Sequence, residues 1–305
     1  MGLLYMLEKI RMPVLNEIML AITKLGEETA FLVLALIFFW CVDKRRGYYL
    51  MAVGFMGTIL NQFLKLACKV PRPWVLKENF TILEQAREAA SGYSFPSGHT
   101  TMAVGTFGGI ALTEKRRWLQ VICVVLALLV SFSRMYVGVH TPYDVLAGIL
   151  CAVALLLVLK PLVFAEKEWT MPILLTAMLL VAVSFFVFAV LHPTQGVDPA
   201  NLTSAVKNGY TMLGCMTGVV VVYFAERRWV GFREDAVWWV QIIKSVLGLA
   251  AVLAVKSGLK APLELLFGGH MISRSVRYFL LVLIAGLLWP MTFRFWRKLG
   301  EGCQK

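Results

Sequence analysis

The amino-acid sequence predicts an all-α fold, a polytopic bundle of membrane-spanning helices, and two observations support this prediction. First, the 305 residues are 59% hydrophobic and have a mean hydropathy of +0.74, so the chain is far more apolar than a typical soluble protein. Second, the hydrophobic residues are grouped in long blocks, and a block such as Thr170 to Leu191 contains no charged residue. About 20 apolar residues cross a bilayer as a helix, because backbone groups in lipid must be bonded within their own segment.

These blocks predict nine spans joined by short polar connections. The first and third spans are short or are interrupted by glycine and polar residues. Ahead of the first span, the segment Asn16 to Lys24 is too short to cross and is predicted to be a half-inserted helix. The predicted spans are 28–42, 47–66, 97–113, 118–135, 144–161, 170–191, 208–225, 236–256 and 275–294.

The positive charge occurs in clusters, one in every second loop. The formal net charge of +12 is compatible with nucleic-acid binding, but the placement of the charge argues otherwise. Under the positive-inside tendency the clustered loops face the cytoplasm and the loops between them face outside. The clusters therefore indicate the topology of an integral membrane protein and not a nucleic-acid surface. We expect the protein in the plasma (inner) membrane, with the three polar segments described below facing outside the cytoplasm. Lys9 and Arg11 fit less well, because nine spans would place them outside. The clusters are Lys44, Arg45 and Arg46; Lys115, Arg116 and Arg117; Lys160 and Lys167; Arg227, Arg228 and Arg233; and Arg294, Arg297 and Lys298.

Three polar segments follow the spans on the predicted outer side. Polar groups in such an apolar chain are informative, because placing a polar group in a membrane is unfavourable in free energy and is typical of a functional site. The first segment runs from Lys65 to Pro73 and the second from Phe95 to Thr100. The third runs from Ser133 to Asp144, between the fourth and fifth spans. The alternating topology places all three at the same membrane face.

The residue types in these segments suit a phosphoryl group. Lys65, Arg72 and Arg134 supply three positive charges with many hydrogen-bond donors. The run that contains Ser97 and Gly98 is predicted to open a helix, whose first N–H groups and positive dipole end form an anion site. Gly98 would let the backbone approach the anion closely.

The two histidines of these segments are candidates for proton and group transfer. His140 and Asp144 are four residues apart, a spacing that lets the carboxylate hold one imidazole nitrogen and direct the other at phosphorus. His99 remains as a proton donor for the leaving oxygen. The sequence contains no carboxylate cage for Mg²⁺, and its six cysteines have neither metal-ligand spacing nor a disulfide framework. We therefore expect no metal and no other cofactor.

The complete pattern is Lys-x6-Arg-Pro, then Pro-Ser-Gly-His, then Ser-Arg-x5-His-x3-Asp. From Asn61 to Ala147 it resembles the signature of the type-2 phosphatidic acid phosphatase superfamily, which also includes vanadium haloperoxidases and glucose-6-phosphatase. The resemblance implies a phosphohistidine mechanism in which His140 is the nucleophile, Asp144 orients it, and His99 acts as general acid and then general base. It also implies that the phosphate is held by Lys65, Arg72, Ser97, Gly98 and Arg134.

The resemblance further implies a six-helix catalytic membrane domain, predicted over residues 1–195. Residues 196–305 are then about three additional C-terminal spans with no role implied by the resemblance. The expected activity is hydrolysis of a lipid phosphomonoester or diphosphate, of the undecaprenyl diphosphate, phosphatidic acid or phosphatidylglycerol phosphate type. Two alternatives stay open: a phosphotransferase that passes the headgroup to an alcohol, and a non-catalytic lipid-phosphate transporter. The expected partners are the lipid phosphate and the bilayer, and the sequence specifies no oligomeric state.

Three further features lie outside the motif. Thr81 and Glu84 have the spacing of a capping box and predict a short helix before the third span. Lys244 lies within the eighth predicted span, near its cytoplasmic end, and we expect its side chain to snorkel to the interface. Arg274 and Arg277 open the ninth span on the side of the three polar segments. We interpret them as anchors of that helix, with contact to a lipid headgroup or second phosphate as the alternative.

Overall fold

The computed structural model describes residues 1–77, 79–87, 90, 92–192 and 196–296, and throughout these ranges the regular elements are helices, which confirms the all-α prediction. Within these ranges, seven helices are long and apolar enough to cross a membrane, or eight if the bent pair Pro13–Lys24 and Glu28–Val42 forms one span. The prediction of nine spans is therefore too high by this measure. Of the nine, the predicted span 28–42 meets this measure only as part of the bent pair, and 97–113 does not meet it because Gly98–Thr113, helical as predicted, has only 16 residues.

The described helices agree in position with the hydrophobic blocks. Short π-helical segments follow α3, α10 and α13. Arg297 and Lys298 of the C-terminal positive cluster, and the cysteine Cys303, lie outside the described residues. The α-helices are α1 (Gly2–Lys9), α2 (Pro13–Lys24), α3 (Glu28–Ile37), α4 (Lys44–Cys68), α5 (Pro73–Leu76), α6 (Gly98–Thr113), α7 (Arg117–Tyr136), α8 (Pro142–Val163), α9 (Thr170–Leu191), α10 (Pro199–Ala225), α11 (Trp238–Gly258), α12 (Lys260–Leu266), α13 (Ile272–Leu283) and α14 (Trp289–Met291).

The chain forms two compact units, each assembled from separate stretches of sequence. The first unit consists of Met1–Leu34, Tyr49–Pro161 and Ala189–Val206. The second consists of Ala35–Tyr48, Leu162–Phe188 and Lys207–Lys305. The assignment of residues 1–195 to a catalytic domain and of residues 196–305 to additional spans remains a prediction.

In the first unit, α6 and α2 both pack against α7. A helix is observed at the segment 16–24, as α2, which begins earlier, at Pro13, because proline suits the first helical position. Its half insertion remains a prediction. The turn after α2 passes so close to the site helices that a Cβ on Gly26 would lie 2.9 Å from the backbone oxygen of His99 and 2.7 Å from a Val130 methyl group. Only glycine fits at this approach without displacing backbone.

The predicted capping box at Thr81 does not form. Its amide donates to Glu8 Oε1 at 3.0 Å and its hydroxyl bonds the same carboxylate, so Thr81 ties α1 to the connection between α5 and α6. The helix that it was expected to start is reduced to a single 3₁₀ turn, Glu84–Ala86. A tertiary contact thus replaces the local cap.

In the second unit, the prediction for Lys244 is wrong. Its side chain is 1% exposed, and Nζ donates to the carbonyl of Trp40 at 3.0 Å and to that of Glu234 at 3.3 Å. The ammonium group also lies 4.3 Å from the centre of the Phe293 ring. Carbonyl oxygens and an aromatic face therefore satisfy this charge inside the protein, where snorkelling was expected.

Candidate active site

The first polar segment contacts the third through Arg72, which precedes α5 and is 4% exposed. Its Nε donates to the carbonyl of Gly92 at 2.8 Å. Its Nη1 donates to the carbonyl of Val139 at 2.9 Å and lies 3.0 Å from His140 Nε2. Lys65, in the last turn of α4, interacts electrostatically with Arg72. One buried guanidinium group therefore connects the first segment with the third and with Gly92, ahead of the second.

The second segment forms the N-terminus of α6, as predicted. Ser97 is the N-cap, and its hydroxyl accepts from Thr100 N at 3.4 Å and from the Thr100 hydroxyl at 2.9 Å. The Ser97 amide donates to the carbonyl of Asp144 at 3.0 Å, which fixes this turn against the start of α8. A Cβ on Gly98 would lie 3.3 Å from Asn61 Oδ1, so the backbone there is closely approached by α4. The positive end of the α6 dipole is thus held beside Asp144.

The third segment positions the carboxylate of Asp144 in the first turn of α8. Its Oδ2 accepts from the Thr141 amide and from the Ser94 hydroxyl, both at 2.6 Å. Oδ2 also lies 3.6 Å from His140 Nδ1. With 1% of the residue exposed, Asp144 is a buried carboxylate held by two short hydrogen bonds.

The surroundings of His140 keep its imidazole neutral. The residue is 2% exposed, and burial lowers the pKa of His140 well below its usual value of 6.5. The nearby positive charges of Arg72, Arg134 and Lys65 lower this pKa further. At neutral pH the ring is therefore the neutral imidazole, in which one nitrogen carries a hydrogen and the other a lone pair.

The hydrogen bond with Arg72 determines which nitrogen of His140 holds that lone pair. A guanidinium group only donates, so Nε2 accepts from Arg72 Nη1 and the ring hydrogen is on Nδ1. Nδ1 lies 3.6 Å from Asp144 Oδ2 and 3.5 Å from Ser94 Oγ. The carboxylate side of the ring thus carries the N–H, and the cationic side carries the lone pair.

Arg134, near the end of α7, is 0% exposed, and its hydrogen bonding is incomplete. Its Nη1 donates to Thr23 Oγ1 at 2.6 Å. Its Nε and Nη2 are buried and have no partner among the described residues. A buried guanidinium group with unmet N–H donors is costly, and the oxygens of a phosphate would satisfy it.

His99, in the first turn of α6, interacts electrostatically with Arg134, His140, Lys65 and Arg72. Its Nε2 is buried without a hydrogen-bond partner in the described ranges. A buried imidazole nitrogen near the cationic side chains of Lys65, Arg72 and Arg134 could exchange a proton with a bound phosphate ester.

The first unit contains all eight residues that the sequence singled out for the site. They are Lys65, Arg72, Ser97, Gly98, His99, Arg134, His140 and Asp144. Arg274 and Arg277 belong to the second unit, where Arg274 Nε donates to Thr211 Oγ1 at 3.2 Å. Arg277 is 7% exposed.

Sequence reasoning missed three residues that support this site. Ser94 holds Asp144, Thr23 holds Arg134, and Asn61 donates to the carbonyl of Pro96 at 3.2 Å. Ser94 could have been noticed, because it lies three residues before Ser97 in an otherwise uncharged turn. Thr23 had no signal, because it is more than 100 residues from Arg134 in sequence.

Comparison with known sequences gives matches over both parts of the chain. The family profile of the PAP2 superfamily matches residues 46–168, and the profile described as "PAP2 superfamily phosphatase, transmembrane extension" matches residues 210–300. No solved structure matches the chain significantly.

Three relatives illustrate the similarity among individual proteins. An undecaprenyl-diphosphatase from Sulfolobus acidocaldarius is 32% identical, over 44% of this chain and 64% of the relative. Undecaprenyl-diphosphatase BcrC from Bacillus subtilis is 34% identical, over 46% of this chain and 70% of the relative. Phosphatidylglycerophosphatase B from Bacillus subtilis is 32% identical, over 52% of this chain and 79% of the relative.

Proposed function

This chain belongs to the PAP2 superfamily of phosphatases, and we propose that it hydrolyses the terminal phosphate of a lipid phosphomonoester or lipid diphosphate through a phosphohistidine at His140. The observation that supports this proposal most strongly is the Arg72–His140 hydrogen bond, 3.0 Å long, because it leaves the lone pair of His140 on Nε2, beside the guanidinium group of Arg72. The names of the three relatives favour an undecaprenyl diphosphate or a phosphatidylglycerol phosphate as the substrate class.

In the proposed binding step, the substrate phosphate lies among Lys65, Arg72 and Arg134. The unmet Nε and Nη2 donors of Arg134 bond its oxygens, and Arg72 Nη1 transfers its hydrogen bond from His140 Nε2 to the phosphate. This exchange frees the Nε2 lone pair only when an anion is present. The N–H groups at the start of α6, around Ser97 and Gly98, bond a further oxygen.

In the first chemical step, His140 Nε2 attacks phosphorus and the bond from phosphorus to the leaving oxygen breaks. His99 donates a proton to that oxygen, so a lipid alcohol or lipid phosphate leaves. The positive charge that develops on the ring of His140 is shared with Nδ1–H, which faces the Asp144 carboxylate at 3.6 Å. The three cations stabilise the charge on the equatorial oxygens of the transferring group.

In the second step, a water molecule attacks the phosphohistidine while His99 accepts one of its protons. The bond between phosphorus and His140 Nε2 breaks, inorganic phosphate forms, and the histidine regains its lone pair. Each protein group that acts in this cycle is a side chain or a backbone N–H group of the first unit. The proposed chemistry therefore uses no metal. The alternating positive clusters favour a location in the plasma membrane with the site on the side that faces away from the cytoplasm.

The test is phosphate release by the purified protein in EDTA, from undecaprenyl diphosphate, phosphatidic acid and phosphatidylglycerol phosphate. We expect His140→Ala to lower release at least about a thousandfold, because the nucleophile is lost. His270→Ala, an exposed histidine of the second unit, is the matched control and should retain activity. After a rapid quench, wild-type protein should carry labelled phosphate that is stable in alkali and lost in acid. Normal release by a folded His140→Ala protein would exclude the proposed nucleophile.

A further inference from the structure

A cavity of about 290 Å³ lies within the second unit, and none of the eight residues of the hydrolytic site lines it. The start of α4, the connection from α8 to α9, and the end of α10 enclose it. Its cationic lining residues come from three of the positive clusters, which the sequence assigned to cytoplasmic loops. These residues are Lys44, Arg45, Lys167 and Arg227.

Part of this charge is compensated inside the protein. Glu226 is 3% exposed, and its Oε1 accepts from Lys44 Nζ at 2.7 Å and from the Phe232 amide at 3.1 Å. Arg227 Nη2 lies 4.0 Å from an exposed carboxylate, Glu168. Arg45 and Lys167 have no carboxylate partner among the described residues. Two lining cations thus remain available for an anion.

A second, independent observation concerns Tyr48, a residue that also lines the cavity. The residue is 7% exposed, and its hydroxyl oxygen is buried without a hydrogen-bond partner in the part of the chain that the structure describes. Edge-on contacts with Phe39 and Tyr223 hold the ring. A buried hydroxyl without a partner is unfavourable, and an acceptor oxygen of a ligand would satisfy it.

The rest of the lining suits a lipid more than a soluble ion. Val163 and Met171 add an apolar wall. Trp169 is not part of the lining, but it is 58% exposed and its ring contacts Lys167, and an exposed tryptophan is typical of a membrane interface. Glu166, an exposed lining carboxylate, would repel a multiply charged anion but would accept hydrogen bonds from headgroup hydroxyls. The described residues include no group of His, Cys, Asp or Glu side chains that could hold a metal, which argues against a cation as the ligand.

We propose that this cavity is a second phosphate-recognition site, which binds the headgroup of a singly charged phospholipid in the cytoplasmic leaflet. Arg45 and Lys167 contact the phosphodiester oxygens, and the Tyr48 hydroxyl donates to one of them. The site is separate from the proposed hydrolytic residues, so it stands whether or not the phosphohistidine mechanism is correct.

The experiment measures the thermal unfolding midpoint of the purified full-length protein in a neutral detergent. The three probes are dihexanoyl phosphatidylglycerol, inorganic phosphate at matched ionic strength, and zwitterionic dihexanoyl phosphatidylcholine. A ligand that binds only the folded state raises the midpoint in a saturable manner, from which an apparent Kd follows. We expect saturation with the phosphatidylglycerol probe and at least tenfold weaker binding of phosphatidylcholine.

The variants distinguish binding at this cavity from binding of the probes at the hydrolytic site, which is unchanged in every variant tested. The double substitution Arg45→Gln with Lys167→Gln should raise the apparent Kd for phosphatidylglycerol at least tenfold. The matched control, Arg116→Gln with Arg117→Gln, removes two exposed cations from another predicted cytoplasmic loop and should leave Kd within twofold. Tyr48→Phe should weaken binding severalfold without lowering the midpoint of the ligand-free protein.

Each outcome decides the proposal. Variant-sensitive saturation by phosphatidylglycerol alone supports a lipid headgroup site. Equal, variant-sensitive saturation by inorganic phosphate supports phosphate recognition but replaces the lipid with a soluble source. Absence of saturation, or the same Kd in the cavity double variant and its control, overturns the proposal.

Discussion

Replacing Ser94 with alanine tests whether the geometry of Asp144 limits turnover. Ser94 is 0% exposed, and its hydroxyl donates to Asp144 Oδ2 at 2.6 Å. The substitution removes this donor and leaves the Thr141 amide, also at 2.6 Å, as the remaining short hydrogen bond to the same oxygen. The carboxylate then has freedom to rotate away from His140 Nδ1.

The size of the effect follows from the strength of the bond that is lost. A hydrogen bond to a charged group contributes about 1.5–3 kcal/mol. Because the Thr141 amide still holds the carboxylate, we expect a loss near the lower limit, about 1.5–2 kcal/mol, which lowers kcat about 10- to 30-fold. The KM should change less than about threefold, because the three phosphate-binding cations are untouched.

The assay is steady-state phosphate release by the purified protein from one short-chain, water-soluble lipid phosphate. Ser131→Ala is the matched control, because Ser131 is 2% exposed and its hydroxyl donates only to the carbonyl of Ala127, one turn earlier in α7. A kcat within twofold of wild type for Ser94→Ala would refute the reasoning. An equal loss in Ser131→Ala would show that any buried hydroxyl has the same effect.

Three further predictions concern charge, pH and topology. Arg134→Lys should lower kcat/KM about a hundredfold, roughly 3 kcal/mol, because lysine cannot reproduce a planar donor pair, whereas Arg274→Lys should change it less than threefold. Near-normal rates for Arg134→Lys would remove that guanidinium group from the phosphate site. Protonation removes the nucleophilic lone pair of His140, and the pKa of His140 is lowered. The fall of kcat/KM at acid pH should therefore have its midpoint below pH 6.5, and a midpoint at or above 6.5 would contradict this. In a protein without native cysteines, Asn79→Cys should react with an impermeant thiol reagent on intact cells, and Lys115→Cys should not. The reverse labelling pattern would show that the topology is the opposite of the predicted one.

The helices and the motif residues of the site were predictable from sequence for a local reason. An apolar block of about 20 residues has one stable conformation in lipid, so each block becomes a helix whatever its neighbours are. Polar residues among such blocks are costly, which made Arg134 and His140 conspicuous. The N-cap at Ser97 was also predictable, because capping depends on residues within one turn.

Tertiary structure alone decided the contacts that support those residues. Thr23 meets Arg134 because α2 packs on α7, and no local pattern encodes a contact across more than 100 residues. The capping box at Thr81 failed because Glu8, distant in sequence, competes for the same donors. Lys244 was expected at the interface, but carbonyl groups of the packed second unit made burial favourable. Local sequence determines which helices form and which charges must be accommodated, whereas packing determines which distant groups satisfy those charges, because hydrogen bonds depend on distances that only the folded chain defines.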